Sequence, residues 1–337
     1  MKDLTLLILM LSIPCAGAAQ NPVTSDKVNV EGMAIHYVDT GGGTPPPGVP
    51  APEGRGKWDA ERTGGGTPPT AEGLVMLFVH GFAGSCADFL PLLRIMPADV
   101  RCIAVDLPGC GTSDKPDIHY SVPYLTRFLL QFSQALGLRH FILIGHSMGG
   151  LIVTRFTWEY PALVDKLILI SPDGLKGEEG WLLSISRMQG LVEFATDLAS
   201  RWVVKQGLRM QVFHDPAKIP EEFVDAVAET YADAGARRAI VRIASEVIGT
   251  DPVDDILCSP ALDLDTLIIW GDDDRVLPVS WSAGFVRGLP RATLHIISGC
   301  GHMPTVECPQ ITEGLISGFL ADVSSSVSPV PSQDLRP

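Results

Sequence analysis

From residue 74 onward, short apolar runs alternate with stretches whose apolar residues recur at helical spacing, and this alternation restricts the chain to few architectures. Residues 74–80, 102–106, 141–145, 166–170, 266–270 and 293–297 each read as a strand buried on both faces. Helices are predicted near 87–96, over 123–136 and 148–160, near 281–287, and from about 304 to 322. Continuous apolar strands separated by amphipathic helices dictate an α/β fold, a mostly parallel central sheet flanked by helices. Upstream, residues 28–38 read as two short strands around Glu31-Gly32, an antiparallel hairpin at the sheet edge.

Two segments interrupt the pattern. Residues 41–73 are rich in Gly, Pro and Thr, and Thr-Gly-Gly-Gly-Thr-Pro-Pro occurs at 40–46 and again at 63–69. Such a stretch buries too little apolar surface to offset its ordering entropy, so a flexible insertion is expected, ahead of the first parallel strand. Residues 175–262 carry Trp, Phe, Leu and Val at helical spacing with charges between them, which reads as an inserted helical cap. The sheet domain then comprises 20–174 and 263–322, with a Ser/Pro-rich disordered tail over 323–337.

The apolar run from Leu4 to Ile13, followed by Cys15, Ala16, Gly17, Ala18 and Ala19, reads as a signal peptide over 1–19. Export to a secreted or periplasmic location follows, and a cytoplasmic one if that segment is instead a buried or frayed N-terminus. No transmembrane segment is predicted, because no apolar run is long enough. A net charge of −14 disfavours nucleic acid as a partner, since phosphates would meet repulsion. Removal of 1–19 would leave six of the seven cysteines, an even number compatible with disulfides. A chain of 337 residues needs no such staples, and free buried thiols are the plainer expectation. The cysteine spacing shows no metal-ligand pattern.

The sharpest chemical signal is Gly145-His146-Ser147-Met148-Gly149-Gly150, a G-x-S-x-G between an apolar strand and a helix. Glycines permit a tight turn that lifts Ser147 above the sheet, and the following helix offers N–H groups and a positive dipole end to a developing anion. Here the sequence resembles the α/β-hydrolase superfamily, in its serine esterase and lipase branch with a helical cap, over about residues 28–322.

Serine is a weak nucleophile at neutral pH and needs a base that is itself oriented by a carboxylate. The resemblance implies these in the chain order Ser, acid, His. Asp274 occupies the acid position by the G-x-x-D-x-x-x-P spacing of 271–278, with Asp173 held in reserve, and His302 follows Gly301 after the last strand. The same resemblance implies an oxyanion hole from the backbone N–H groups of Met148 and Phe82. It also implies His80, Gly81 and His146 as substrate-binding neighbours. The loop over 106–116, with its Asp-Leu-Pro-Gly start, is expected to be structural.

The activity implied is hydrolysis of carboxylic esters with apolar acyl groups, on a small-molecule ester substrate and with no metal or organic cofactor. A carbon–carbon bond hydrolase acting on diketone-like ring-fission products is the alternative within the fold. A non-catalytic binding protein on the same fold is the alternative outside enzymology.

Overall fold

In a computed structural model that describes residues 21–41, 74–177 and 200–321, the expected strands form one eight-stranded sheet in the order β1-β2-β4-β3-β5-β6-β7-β8. The strands are β1 Thr24–Val30, β2 Met33–Asp39, β3 Val75–Val79, β4 Arg101–Val105, β5 Phe141–His146, β6 Val164–Ile170, β7 Thr266–Gly271 and β8 Ala292–Ile297. β1 and β2 pair antiparallel, β2 pairs antiparallel with β4, and the rest of the sheet is parallel. Glu31 and Gly32 have φ of 50° and 87°, and positive φ at both turn positions matches the twist of a two-residue hairpin.

Side chains alternate across the sheet, and each face has its own core. Leu77, Val79, Ile103, Leu143, Leu169 and Trp270 pack on helices α2 (Val122–Ala135) and α3 (Met148–Glu159). Met76, Phe78, Ala104, Ile144, Ile170 and Ile269 form the opposite face. That face packs under α1 (Leu90–Leu93) and, at the far end of the chain, Ile316.

Between β6 and β7 the chain inserts the cap. Its helices are α4 (Arg201–Gly207), wound on through a π-turn at Leu208–Val212, α5 (Glu221–Ala232) and α6 (Ala234–Glu246). The short α7 (Asp254–Leu257) leads back to β7, and α8 (Ser282–Gly288) precedes β8. Val204, Leu208, Phe213, Phe223 and Val224 form a third core, shared with Met303 and Val306.

Two helices differ from expectation. Residues 304–322 divide into α9 (Pro304–Glu307) and α10 (Pro309–Ala321), because Pro309 has no N–H to donate and Cys308 ahead of it leaves helical geometry, at φ −133° and ψ 47°. Near 87–96 a short 3₁₀ turn at Cys86–Asp88 precedes α1, which begins with Pro91 in its first turn.

The expected signal segment 1–19, insertion residues 42–73, cap residues 178–199 and tail 323–337 lie outside the described residues. The flanks of the insertion are described. The Thr40 N–H bonds Cys102 O at 3.0 Å and the Arg101 N–H bonds Leu74 O at 2.8 Å, so both flanks sit at the amino ends of the parallel strands. Cys86, Cys102, Cys110, Cys258, Cys300 and Cys308 are free thiols, and all but Cys258 are buried. Among the described residues no helix is long and apolar enough to cross a membrane.

Candidate active site

Ser147 stands at the junction of β5 and α3 with φ 54° and ψ −124°, a backbone conformation that persists only where the surroundings over-determine it. Its N–H bonds Ile170 O at 3.0 Å, and its carbonyl accepts the N–H groups of Gly150 at 2.7 Å and Asp173 at 3.0 Å. Packing does the rest. A Cβ at Gly149 would lie 2.2 Å from Val79 O, so only a bare backbone lets α3 approach β3 this closely. A Cβ at Gly81 would lie 2.9 Å from the Ser147 Cβ, which puts the loop after β3 directly beside this serine. Phe82 follows Gly81 in that loop, half-buried, and Met148 opens α3, where N–H groups have no intrahelical acceptor.

The loop after β7 assigns different work to three consecutive aspartates. Asp272 accepts the Ser298 hydroxyl at 2.9 Å and the Gly299 N–H at 2.8 Å, tying the ends of β7 and β8 together. Asp273 meets His214 Nδ1 of the cap at 2.8 Å and also Arg275. Asp274, its side chain fully buried, accepts the N–H groups of Val276 and Leu277 on Oδ1 at 2.9 and 2.8 Å. Its Oδ2 lies 2.8 Å from His302 Nδ1. A carboxylate only accepts here, so Nδ1 carries the proton and Nε2 of His302 is left free to take one. The Trp270 indole N–H props this loop from below through Leu277 O at 2.9 Å.

His302 is held on both sides of its backbone. Its N–H bonds Val212 O of the cap at 2.7 Å, and its carbonyl lies 2.8 Å from His146 Nε2. The two imidazoles lie 4.8 Å apart, centroid to centroid. Burial, reinforced by His302, pushes the His146 pKa down to about 3, so this ring is neutral and donates through Nε2.

Two of the expected substrate neighbours also make structural hydrogen bonds. His146 supports the His302 backbone. His80, fully buried, has Nδ1 2.8 Å from Gly81 O and accepts the Leu107 N–H on Nε2 at 3.0 Å, joining the loops after β3 and β4. Burial lowers its pKa as well. Both of its nitrogens are occupied. Gly81 remains beside Ser147. Asp173 accepts the Gly174 N–H at 2.7 Å within the turn beneath Ser147, whereas the carboxylate bonded to His302 is that of Asp274. Asp173 also lines a cavity of about 50 Å³ with Leu151, Leu175 and Pro252, room for water but not for an acyl chain.

Three further buried acidic groups lie outside the expected triad, and two of them, Asp88 and Glu307, escaped sequence reasoning. Asp106 binds the N–H groups of Cys86 and Thr112 and pairs with His36 Nδ1 at 2.7 Å. Despite its burial, these bonds keep its carboxyl below the usual range. His36, Cys86 and Asp106 are the trio of possible metal ligands among the described residues, but the Asp106 oxygens are already committed to the loop that they organise. Asp88, buried against Gly84 of the loop after β3, has its pKa pushed up to about 7 by burial. Glu307, also buried, accepts the Gly301 N–H at 2.7 Å. A lone acid in the apolar stretch Met303-Pro-Thr-Val-Glu-Cys308 was the available signal for it.

Residues 75–308 match the family model described as the alpha/beta hydrolase fold. The uncharacterized hydrolase YugF of Bacillus subtilis is 25% identical over 255 residues, covering 73% of this chain and 89% of that protein. Human monoacylglycerol lipase ABHD6 is 25% identical over 260 residues, covering 74% of this chain and 76% of that protein. The crystal structure of a putative lipase from Acinetobacter baumannii superposes with a TM-score of 0.70 at 23% identity, covering 88% of this chain and 91% of that one.

Proposed function

The chain belongs to the α/β-hydrolase fold family, and on that premise we propose that it is a serine hydrolase of carboxylic esters with apolar acyl groups. The observation that carries this reading is the 2.8 Å pairing of His302 Nδ1 with a buried Asp274, in a molecule whose Ser147 stands on a strained strand-to-helix turn. The likeness to a monoacylglycerol lipase supports the ester class.

In this mechanism Ser147 Oγ attacks the ester carbonyl while His302 Nε2 takes its proton. Asp274 holds the imidazole in the Nδ1–H tautomer and stabilises its positive charge. The amides of Met148 and Phe82 receive the developing oxyanion. His302 then protonates the departing alcohol, and water repeats the sequence on the acyl-enzyme to release the acid.

The test is hydrolysis of p-nitrophenyl esters from acetate to palmitate by wild type and Ser147→Ala. Loss of the nucleophile should cost about 10⁶-fold in kcat. An active Ser147→Ala protein would overturn the assignment. A wild type that reacts with a fluorophosphonate yet cleaves no ester would retain the nucleophile and overturn the substrate class.

A further inference from the structure

The cap and the His302 loop cross backbone against backbone. A Cβ at Gly301 would lie 2.3 Å from Val212 O, and the His302 N–H bonds that same carbonyl at 2.7 Å. Main chains packed this closely bury several amides, each of which needs an acceptor.

Glu307 supplies it. Only 4% exposed, its carboxylate sits in the crossing and is bonded to both chains. Oε2 accepts the N–H groups of Gly301 at 2.7 Å and His214 at 3.2 Å, and Oε1 accepts that of Asp215 at 2.7 Å. One side chain thus grips the residue before His302 and two successive residues of the cap. Apolar contacts run parallel to it, because Met303 and Val306, on either side of the start of α9, pack into the cap core with Val204, Leu208 and Phe213.

We infer that Glu307 is a positioning residue for His302, bolting the imidazole loop to cap segment 212–215 so that the placement of the cap and of the base are one structural variable. The inference rests on His302 being the catalytic base. Bonds to an ionised acceptor are roughly twice as strong as neutral ones, and two oxygens serve three donors at once. A neutral amide at 307 has a single acceptor oxygen and turns an NH₂ group toward N–H donors. Either Asp215, or Gly301 and His214 together, then lose their acceptor.

The experiment compares wild type with Glu307→Gln in three measurements. These are steady-state hydrolysis of p-nitrophenyl butyrate, the rate of fluorophosphonate labelling, and the downfield proton resonance of the His302 Nδ1–H. The expected result is a fall in kcat of about 10- to 100-fold with KM little changed, the scale on which small misplacement of a catalytic group acts. Labelling should slow by a similar factor, and the Nδ1–H resonance should shift or broaden. A lower Tm with all three readouts unchanged would make Glu307 a structural residue only and overturn the inference.

If Glu307→Gln does not fold, Glu307→Asp takes its place. It keeps the charge and both oxygens but is one methylene shorter, and the same signature is expected at smaller size. The resonance is read without substrate, so it tests the bolt even if ester hydrolysis fails as the activity. Should wild type itself show no such resonance, the premise about His302 falls, and the inference falls with it.

Discussion

Around Ser147 the main chain is packed and hydrogen-bonded within the sheet domain, whereas around His302 it is packed and hydrogen-bonded against the cap. On the first side a Cβ at Gly145 or Gly149 would collide with carbonyl oxygens at 2.5 and 2.2 Å. No side chain there can move aside to make room. On the second side Val212, His146 and Glu307 hold His302 and its neighbour Gly301 through polar contacts. The packing around Ser147 is independent of the cap, whereas the His302 loop is pinned to Val212, His214 and Asp215 and moves with wherever the cap goes. The candidate site is thus built from a rigid half and a coupled half.

The sharpest probe of the coupled half is its carboxylate. Asp274→Asn should lower kcat by about 10⁴-fold, because an amide stabilises the wrong imidazole tautomer. Asp273→Asn, which disturbs a half-exposed pair with His214, should stay within about fivefold. Steady-state kinetics decides, and comparable losses in the two variants would mean that the cap pairing and the triad pairing are not separable.

The rigid half is probed by one substitution made in two places. Gly149→Ala forces a methyl group into Val79 O and should lower Tm by roughly 5–10 °C through overpacking. Gly207→Ala, in α4 at φ −59° with nothing within 4 Å of its Cβ, should raise Tm by a few degrees at most, about 1 kcal/mol of helix propensity. Calorimetry that found the same sign in both would break the contrast between the two regions.

The smallest effect concerns Asp88, where the two halves touch: its carboxyl lies against Gly84, and its carbonyl accepts the Thr305 hydroxyl at 2.7 Å. Its pKa is about 7 when folded against 3.8 for an ordinary aspartate, so between those values the folded protein keeps a proton that the unfolded chain loses. Stability from this group is intact below about pH 3.8 and is lost as pH rises toward 7. Asp88→Asn should therefore melt a few degrees above wild type at pH 8 and together with it near pH 4. A gap that does not depend on pH would show that the carboxyl is not protonated in the fold.

Most of the sheet was legible because burial on both faces leaves an unbroken apolar run, and runs of that kind need no partner to be recognised. The break at Pro309 was equally written in the sequence, although the apolar periodicity on either side of it concealed two helices as one. The histidines were harder. His80 and His146 flank the motifs that define the site, and nothing in their neighbours distinguishes a ring that faces a ligand from one that spans two loops. Glu307 was visible only as a lone charge in an apolar stretch.

By itself the sequence determined the order of strands and helices, the Glu31-Gly32 turn, and the strand–serine–helix junction. Each of these follows from residues adjacent in the chain, where periodicity and backbone sterics act. The spacing of 271–278 singled out Asp274, but what Asp272 and Asp273 bond instead, and which cap residues grip the loop beside His302, was decided by tertiary structure alone. The three aspartates are chemically identical and lie in an aperiodic loop. Their partners arrive from the end of β8, from the cap and from their own loop, and only the assembled sheet brings those together.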